Sequence, residues 1–172
     1  MAVAFSTVAS YPHDKNHSHF SAAIANLVAA ASATDVFCLQ GSATRRVTVR
    51  GLSVSGTAQT TTDSDFFLIK RSTPNTGGTP LIITPVSHGP GTATAVATAY
   101  TANPTLGVGV GTFLTWHVPF LGGNTVILPF VYLLNPGIVL NGVNEWLCMN
   151  LNGQTINNSQ IHMNWEWDED AV

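Results

Sequence analysis

Ile161-His162-Met163-Asn164-Trp165-Glu166-Trp167-Asp168 is the stretch whose reading decides the fold. Ile161, Met163, Trp165 and Trp167 fall on one phase, while His162, Asn164, Glu166 and Asp168 fall on the other. A strict period of two belongs to an antiparallel strand with one face in a core and the other in water. An acidic tip, Asp168-Glu169-Asp170, follows.

Working outward, the same grammar recurs. Trp146 to Leu151 places Leu147, Met149 and Leu151 on one face. The runs Thr112 to Val118 and Val126 to Leu134 each meet a proline, Pro119 and Pro129. Proline has no N–H to give a central ladder, so both runs are expected at sheet edges or bulges. From Ala93 to Tyr100, Ala alternates with Thr or Val, giving a small-residue face able to approach another sheet or subunit closely. Phe66 to Ile69 is apolar on both phases and is expected to be buried from two sides. Val47 and Val49 share a phase that Leu52 and Val54 do not, so a β-bulge is expected at Arg50-Gly51. Val36 to Leu39 is a further short run, and Pro74-Asn75-Thr76-Gly77-Gly78 is a turn cluster.

Phe20 to Ala33 fits helical spacing and a strand pair equally well. Residues 1 to 19 are polar and irregular and read as an extended N-terminal arm. About eight short strands between Gly, Pro and Asn turns predict an all-β antiparallel sandwich or jelly roll. The arm is assigned to residues 1–19 and a single sandwich domain to residues 20–172.

Charged residues make up only 9% of the 172 residues, against roughly 25% in an average soluble protein. Thr, Ser, Asn and Ala stand where solubilising charges usually sit, so the surface suits coverage by neighbours in an oligomer or shell. With a formal net charge of −3, the chain lacks the basic footprint of a nucleic-acid binder. Arg45, Arg46 and Arg50 read as a strand face or interface pair. No apolar run reaches the roughly 20 residues of a membrane span, and the N-terminus does not read as a signal peptide, so synthesis in a cytoplasm is expected. Cys38 and Cys148 lie in apolar strand-like runs and read as reduced and buried, with a bridge between them left open.

No constellation carries catalytic or metal chemistry, and no catalytic, cofactor or metal residue is assigned. His13, His17 and His19 lie beside Asp14, but on a segment that reads as an arm without supporting groups. His88, His117 and His162 are scattered, and the paired-histidine pattern of a cupin-type metal jelly roll is missing from them. Gly107, Gly109 and Gly111 do not make a phosphate loop and read as a turn entering a strand. Gly51 to Gly56 does not make a nucleophile elbow. Asp35, Asp63, Asp65, Glu145 and Glu166 offer no pair set apart for acid–base work. Trp116, Trp146, Trp165 and Trp167 read as core or interface packing ahead of a sugar platform.

From Thr34 to Trp167 the sequence resembles small proteins of tailed-phage structural modules. The likeness is carried by Ala33-Thr34-Asp35-Val36-Phe37, Gly41-Ser42-Ala43-Thr44-Arg45 and Lys70-Arg71-Ser72-Thr73-Pro74-Asn75-Thr76-Gly77-Gly78. It continues through Ala99-Tyr100-Thr101-Ala102-Asn103-Pro104-Thr105-Leu106-Gly107 and Leu147-Cys148-Met149-Asn150-Leu151-Asn152-Gly153, into the final Trp-Glu-Trp strand. These are turn and strand signatures, not catalytic motifs. The resemblance implies a jelly-roll capsid decoration (cement) protein, not an enzyme. Its expected partners are the major capsid protein and its own copies, as a homotrimer, on the virion surface. A glycan-binding fibre module is the alternative, followed by a small metal-dependent jelly-roll enzyme.

Overall fold

The computed structural model describes residues 17–27, 34–57, 62–77, 81–89, 93–101, 104–120, 130–154 and 160–171. Eleven strands and no helix are found among them. In chain order they are β1 (His17–Leu27), β2 (Asp35–Gln40), β3 (Arg45–Thr57), β4 (Thr62–Arg71), β5 (Leu81–Ile83), β6 (Val86–Ser87), β7 (Thr98–Thr101), β8 (Gly109–Phe120), β9 (Phe130–Leu140), β10 (Trp146–Asn150) and β11 (Gln160–Ala171).

They form a five-stranded sheet, β6-β1-β11-β3-β9, and a six-stranded sheet, β5-β7-β2-β10-β4-β8. Eight strands cross between the sheets at every step but β4 to β8, and pair as β1-β11-β3-β9 and β2-β10-β4-β8, every pair antiparallel. That alternation is the jelly roll. The other three strands come from the connection between β4 and β8. β5 and β7 extend the second sheet beyond β2, and β6 extends the first beyond β1.

β11 lies at the centre of the first sheet, where its alternation has most to bury. Ile161, Met163, Trp165 and Trp167 are fully buried, whereas His162, Asn164 and Glu166 are exposed. Phe20 of β1 stacks on Trp167 at 5.9 Å between ring centroids, and Phe37 of β2 meets Trp165 across the gap between sheets at 5.7 Å. Truncating either indole to alanine is expected to cost about 3–5 kcal/mol.

The phase slip in the third strand is a bulge. Val49 pairs with Trp167 and Gly51 with Glu166, leaving Arg50 as the extra residue. Val47, Val49, Leu52 and Val54 thereby all enter the core, and Arg50 donates from Nε to Asp168 Oδ2 at 2.5 Å. The proline-bearing runs also lie where the missing N–H predicts, since β8 and β9 are edge strands. Pro119 is inside β8; Pro129 lies outside the described residues.

Several expectations need correction. Residues 17–19 of the expected arm belong to β1, because His17, Ser18 and His19 pair with Asp170, Glu169 and Asp168. Residues 1–16 lie outside the described ones. The ambiguous segment is strand as far as Leu27, and 28–33 lie outside the description. Of Phe66 to Ile69, only Phe66 and Leu68 are fully buried. In the Ala/Thr run only Thr98–Thr101 is strand. The buried Glu169 carboxylate accepts the amides of Val96 (3.0 Å) and Ala97 (2.9 Å) and the Trp167 indole N–H (3.0 Å), diverting those amides from a ladder. Ala97 and Ala99 pack into this chain's own core. The acidic tip is likewise built in, since Asp168 and Glu169 are both buried.

Candidate interaction surface

The most elaborate polar structure lies on the outer face of the six-stranded sheet. β2 pairs Asp35 with Asn150 and Phe37 with Met149, so Val36 is bulged out of register and Asp35 turns away from the main core. Arg71, at the end of β4, grips the buried carboxylate in a fork, Nε to Oδ2 at 2.7 Å and Nη2 to Oδ1 at 2.8 Å. Asn75 donates to Oδ2 at 2.8 Å and Asn150 to Oδ1 at 2.9 Å. Four donors fill the roughly four lone-pair positions of the carboxylate. Burial alone pushes the Asp35 carboxyl up, but the Arg71, Asn150 and Asn75 hydrogen bonds and the Arg71 charge together hold it below its ordinary range. The bond to Asp35 in turn keeps Arg71 more firmly protonated.

This node positions the segment that enters β8. Arg71 Nη1 donates to Gly107 O at 3.0 Å, and Gly107 N donates to Asn75 Oδ1 at 2.8 Å. Val108 N donates to Thr73 Oγ1 (2.8 Å), Ser72 N to Val108 O (2.9 Å), and Thr76 and Thr105 exchange both backbone bonds. Gly107 must be glycine, since a Cβ there would lie 2.1 Å from Thr73 O. What this bracing holds up is an apolar ridge in water: Leu106, Val108, Val110 and Phe113, with Val108 and Val110 62% and 64% exposed. Fixing apolar side chains in solvent yields no folding energy, and a pre-ordered apolar strip is what a partner surface binds at least entropic cost.

Charge follows the same geography. From Ser72 to Asn144 the chain holds no Asp, Glu, Lys or Arg. That segment supplies all four edge strands, β5, β6, β8 and β9. The charged strand residues sit on β2, β3, β4 and β11, inside the sheets. Natural edges usually carry charge to repel other chains. Here β8 is blunted instead by two register shifts against β4 and by Pro119, while β5 and β6 are only three and two residues long. Such edges resist strand addition yet leave apolar side chains free to pack.

The structure distributes the sequence-singled residues over separate places. His19 Nδ1 is 2.7 Å from Asp168 Oδ1, and its ring meets that of His88 edge-on at 4.7 Å. His13 and Asp14 lie outside the described residues, and His17 pairs with Asp170 in β1. His117, on β8, lies 2.8 Å from Asp65 Oδ1 and 3.7 Å from Asp63 Oδ2; the Asp65 bond, with the charge of both carboxylates, raises its pKa. His162 is on the exposed face of β11, as is Glu166. Glu145 pairs with Lys70 at 2.9 Å. Its carboxyl, pushed up by burial, is drawn below its ordinary range by the Asn141 amide and Lys70. Arg45 and Arg46 flank a depression of about 410 Å3 with Ser42, Asn141 and Ala171. Trp165 and Trp167 are core residues, Trp146 stacks on Tyr100 at 4.7 Å, and Trp116 packs partly buried against the core.

Cys38 and Cys148 are direct cross-strand partners, both free and buried. With Asp35 they bring ligand-type atoms within 4.8 Å of one another. The Asp35 carboxylate accepts four hydrogen bonds here, and burial pushes both thiols up, Cys148 well above its ordinary value. In the sequence Asp35 offers only an unpaired carboxylate and Asn75 only a turn position, and nothing in their spacing ties either to Arg71. The signal that was available for the surface was the charge-free stretch itself. No family model, no curated protein and no solved structure matches the chain.

Proposed function

We propose that this chain is a capsid decoration (cement) protein of a tailed phage, binding the outer face of an assembled shell as a homo-oligomer. The observation that carries the reading is the braced apolar ridge on a jelly roll whose described edge strands hold no Asp, Glu, Lys or Arg. Such a surface is at home when covered. Its work would be mechanical: each contact adds buried area across junctions between capsid subunits, at about 25 cal/mol per Å2 of apolar surface, and so opposes outward pressure from packaged DNA. The residues quoted for the phage resemblance include the components of this bracing, Asp35, Arg71, Asn75 and Gly107. No exposed aromatic platform of the kind a glycan-binding fibre module uses is present among the described tryptophans, three of which are buried.

The test is the copy number of this protein in purified virions relative to the major capsid protein. A lattice-matched ratio is expected. A handful of copies would move the protein to a fibre or tail, and absence from the particle would end the structural reading.

A further inference from the structure

We infer that His19 and His88 together form a binding site for a divalent late transition-metal ion of the Zn2+ type, with Asp168 as the residue that orients His19. The two histidines come from distant parts of the chain, His19 on β1 and His88 in the connection between β4 and β8. The first sheet makes them neighbours. Phe20 pairs with Ser87 and Ser21 with Val86, so the next step of that antiparallel register sets His19 opposite His88, and His88 N donates to His19 O at 2.9 Å. On its other side β1 pairs His19 with Asp168. His88, His19 and Asp168 therefore form one row across the sheet. Phe20 is buried in the core, so its neighbour His19 takes the outer face. Solvent reaches both rings, since the His19 side chain is 31% exposed and His88 is exposed.

The carboxylate sets which nitrogen is offered. His19 Nδ1 lies 2.7 Å from Asp168 Oδ1, while Arg50 Nε donates to Asp168 Oδ2 at 2.5 Å. In a neutral imidazole that bond puts the proton on Nδ1 and leaves the lone pair on Nε2, the arrangement that orients metal-binding histidines. The two nitrogens of an imidazole point nearly opposite ways, so Nε2 is turned away from β11 and toward the side of β1 where His88 stands. The two ring centroids are 4.7 Å apart, with planes at 86°. With metal–nitrogen bonds of about 2.0–2.1 Å, two imidazoles meeting on one ion at an angle of about 90–110° hold their centroids about 4.5–5.2 Å apart. The observed spacing falls inside that range. Neutral imidazoles select Zn2+, Ni2+ or Cu2+ over Mg2+ and Ca2+, which take oxygen ligands. Asp168 stays outside the ligand set, because His19 and Arg50 hold its two oxygens. A bound ion would tie the two-residue β6 to β1 and so anchor the connection between β4 and β8. The site is independent of the capsid reading.

The test is calorimetric titration of the tag-free full chain with Zn2+, with Mg2+ as the oxygen-seeking control, alongside long-range 1H–15N NMR of the imidazoles. One Zn2+ per chain is expected, with His19 and His88 resonances shifting and no heat from Mg2+. His19→Ala and His88→Ala should each abolish binding. His117→Ala, which removes the exposed imidazole beside Asp63 and Asp65, should leave it unchanged. Asp168→Asn should weaken binding by about 10–100-fold and move the neutral His19 ring toward the Nε2–H tautomer, a change that mere loosening of the fold would not give. No Zn2+ binding overturns the proposal. Binding that survives both alanine variants, or that vanishes with His117→Ala, overturns it too, as chelation elsewhere on the surface. Circular dichroism checks that the variants fold. If Asp168→Asn does not, the wild-type tautomer decides: Nε2–H on His19 would overturn the orienting role of Asp168.

Discussion

Asp35→Ala removes the carboxylate at the centre of the outer-face node and leaves its donors in place. Arg71, 5% exposed, then keeps its charge in a buried site without its fork partner, and Asn75 and Asn150 each lose an acceptor. Removing one member of a buried ion pair costs about 3–5 kcal/mol, most of it the uncompensated charge. For a chain of this length that corresponds to a fall in Tm of roughly 6–20 °C, at about 2–4 °C per kcal/mol. Urea unfolding followed by tryptophan fluorescence should show an earlier midpoint with an unchanged slope, because the surface exposed on unfolding is the same. Hydrogen exchange adds a local readout: the amides of Gly107 and Val108, tied to Asn75 and Thr73, should lose protection before the core strands do. The double variant Asp35→Leu/Arg71→Met, which removes both charges, should be more stable than Asp35→Ala. A stability loss below about 1 kcal/mol, the scale of an ordinary surface change, with Gly107 and Val108 still protected, would refute the claim that the node braces the ridge.

The remaining predictions concern pH, backbone fit and thiol chemistry. The folded Asp35 carboxyl sits below its ordinary value, so its stabilisation is fully present above the unfolded pKa of about 3.9 and fades as pH falls through the folded one; Asp35→Asn should flatten that acid limb of a stability–pH curve. His117 has the opposite sign: its pKa is raised by Asp65, so the benefit is present below about pH 6.5 and is lost as pH rises through the folded value. Its imidazole NMR titration should move to lower pH in Asp65→Asn, and an unmoved midpoint would contradict the pairing. Gly107→Ala pushes a Cβ into Thr73 O and should destabilise by about 1–3 kcal/mol, with the loss visible first in exchange at Val108. Cys38 and Cys148 should resist a thiol reagent in the native protein and react together on unfolding; rapid native labelling would show that the outer face opens.

Local alternation determined a great deal by itself. The pattern from Ile161 to Trp167 needs only the two-residue period of a strand to identify its buried face. The Arg50 bulge is legible because an extra residue inverts the phase of everything after it, and the edge positions of β8 and β9 because proline cannot donate. Those are properties of neighbouring residues. Others depended on residues distant in sequence. Asp35, Arg71, Asn75 and Asn150 carry no shared spacing, and only the pairing of β10 with both β2 and β4 brings them onto one carboxylate. His19 reaches Asp168, and Glu169 captures the Val96 and Ala97 amides, for the same reason. The uncharged stretch from Ser72 to Asn144 was in plain view as composition. That it supplies all four edges was decided by tertiary structure alone, because which strand ends a sheet depends on pairing between segments far apart in the chain, and local periodicity holds no record of it.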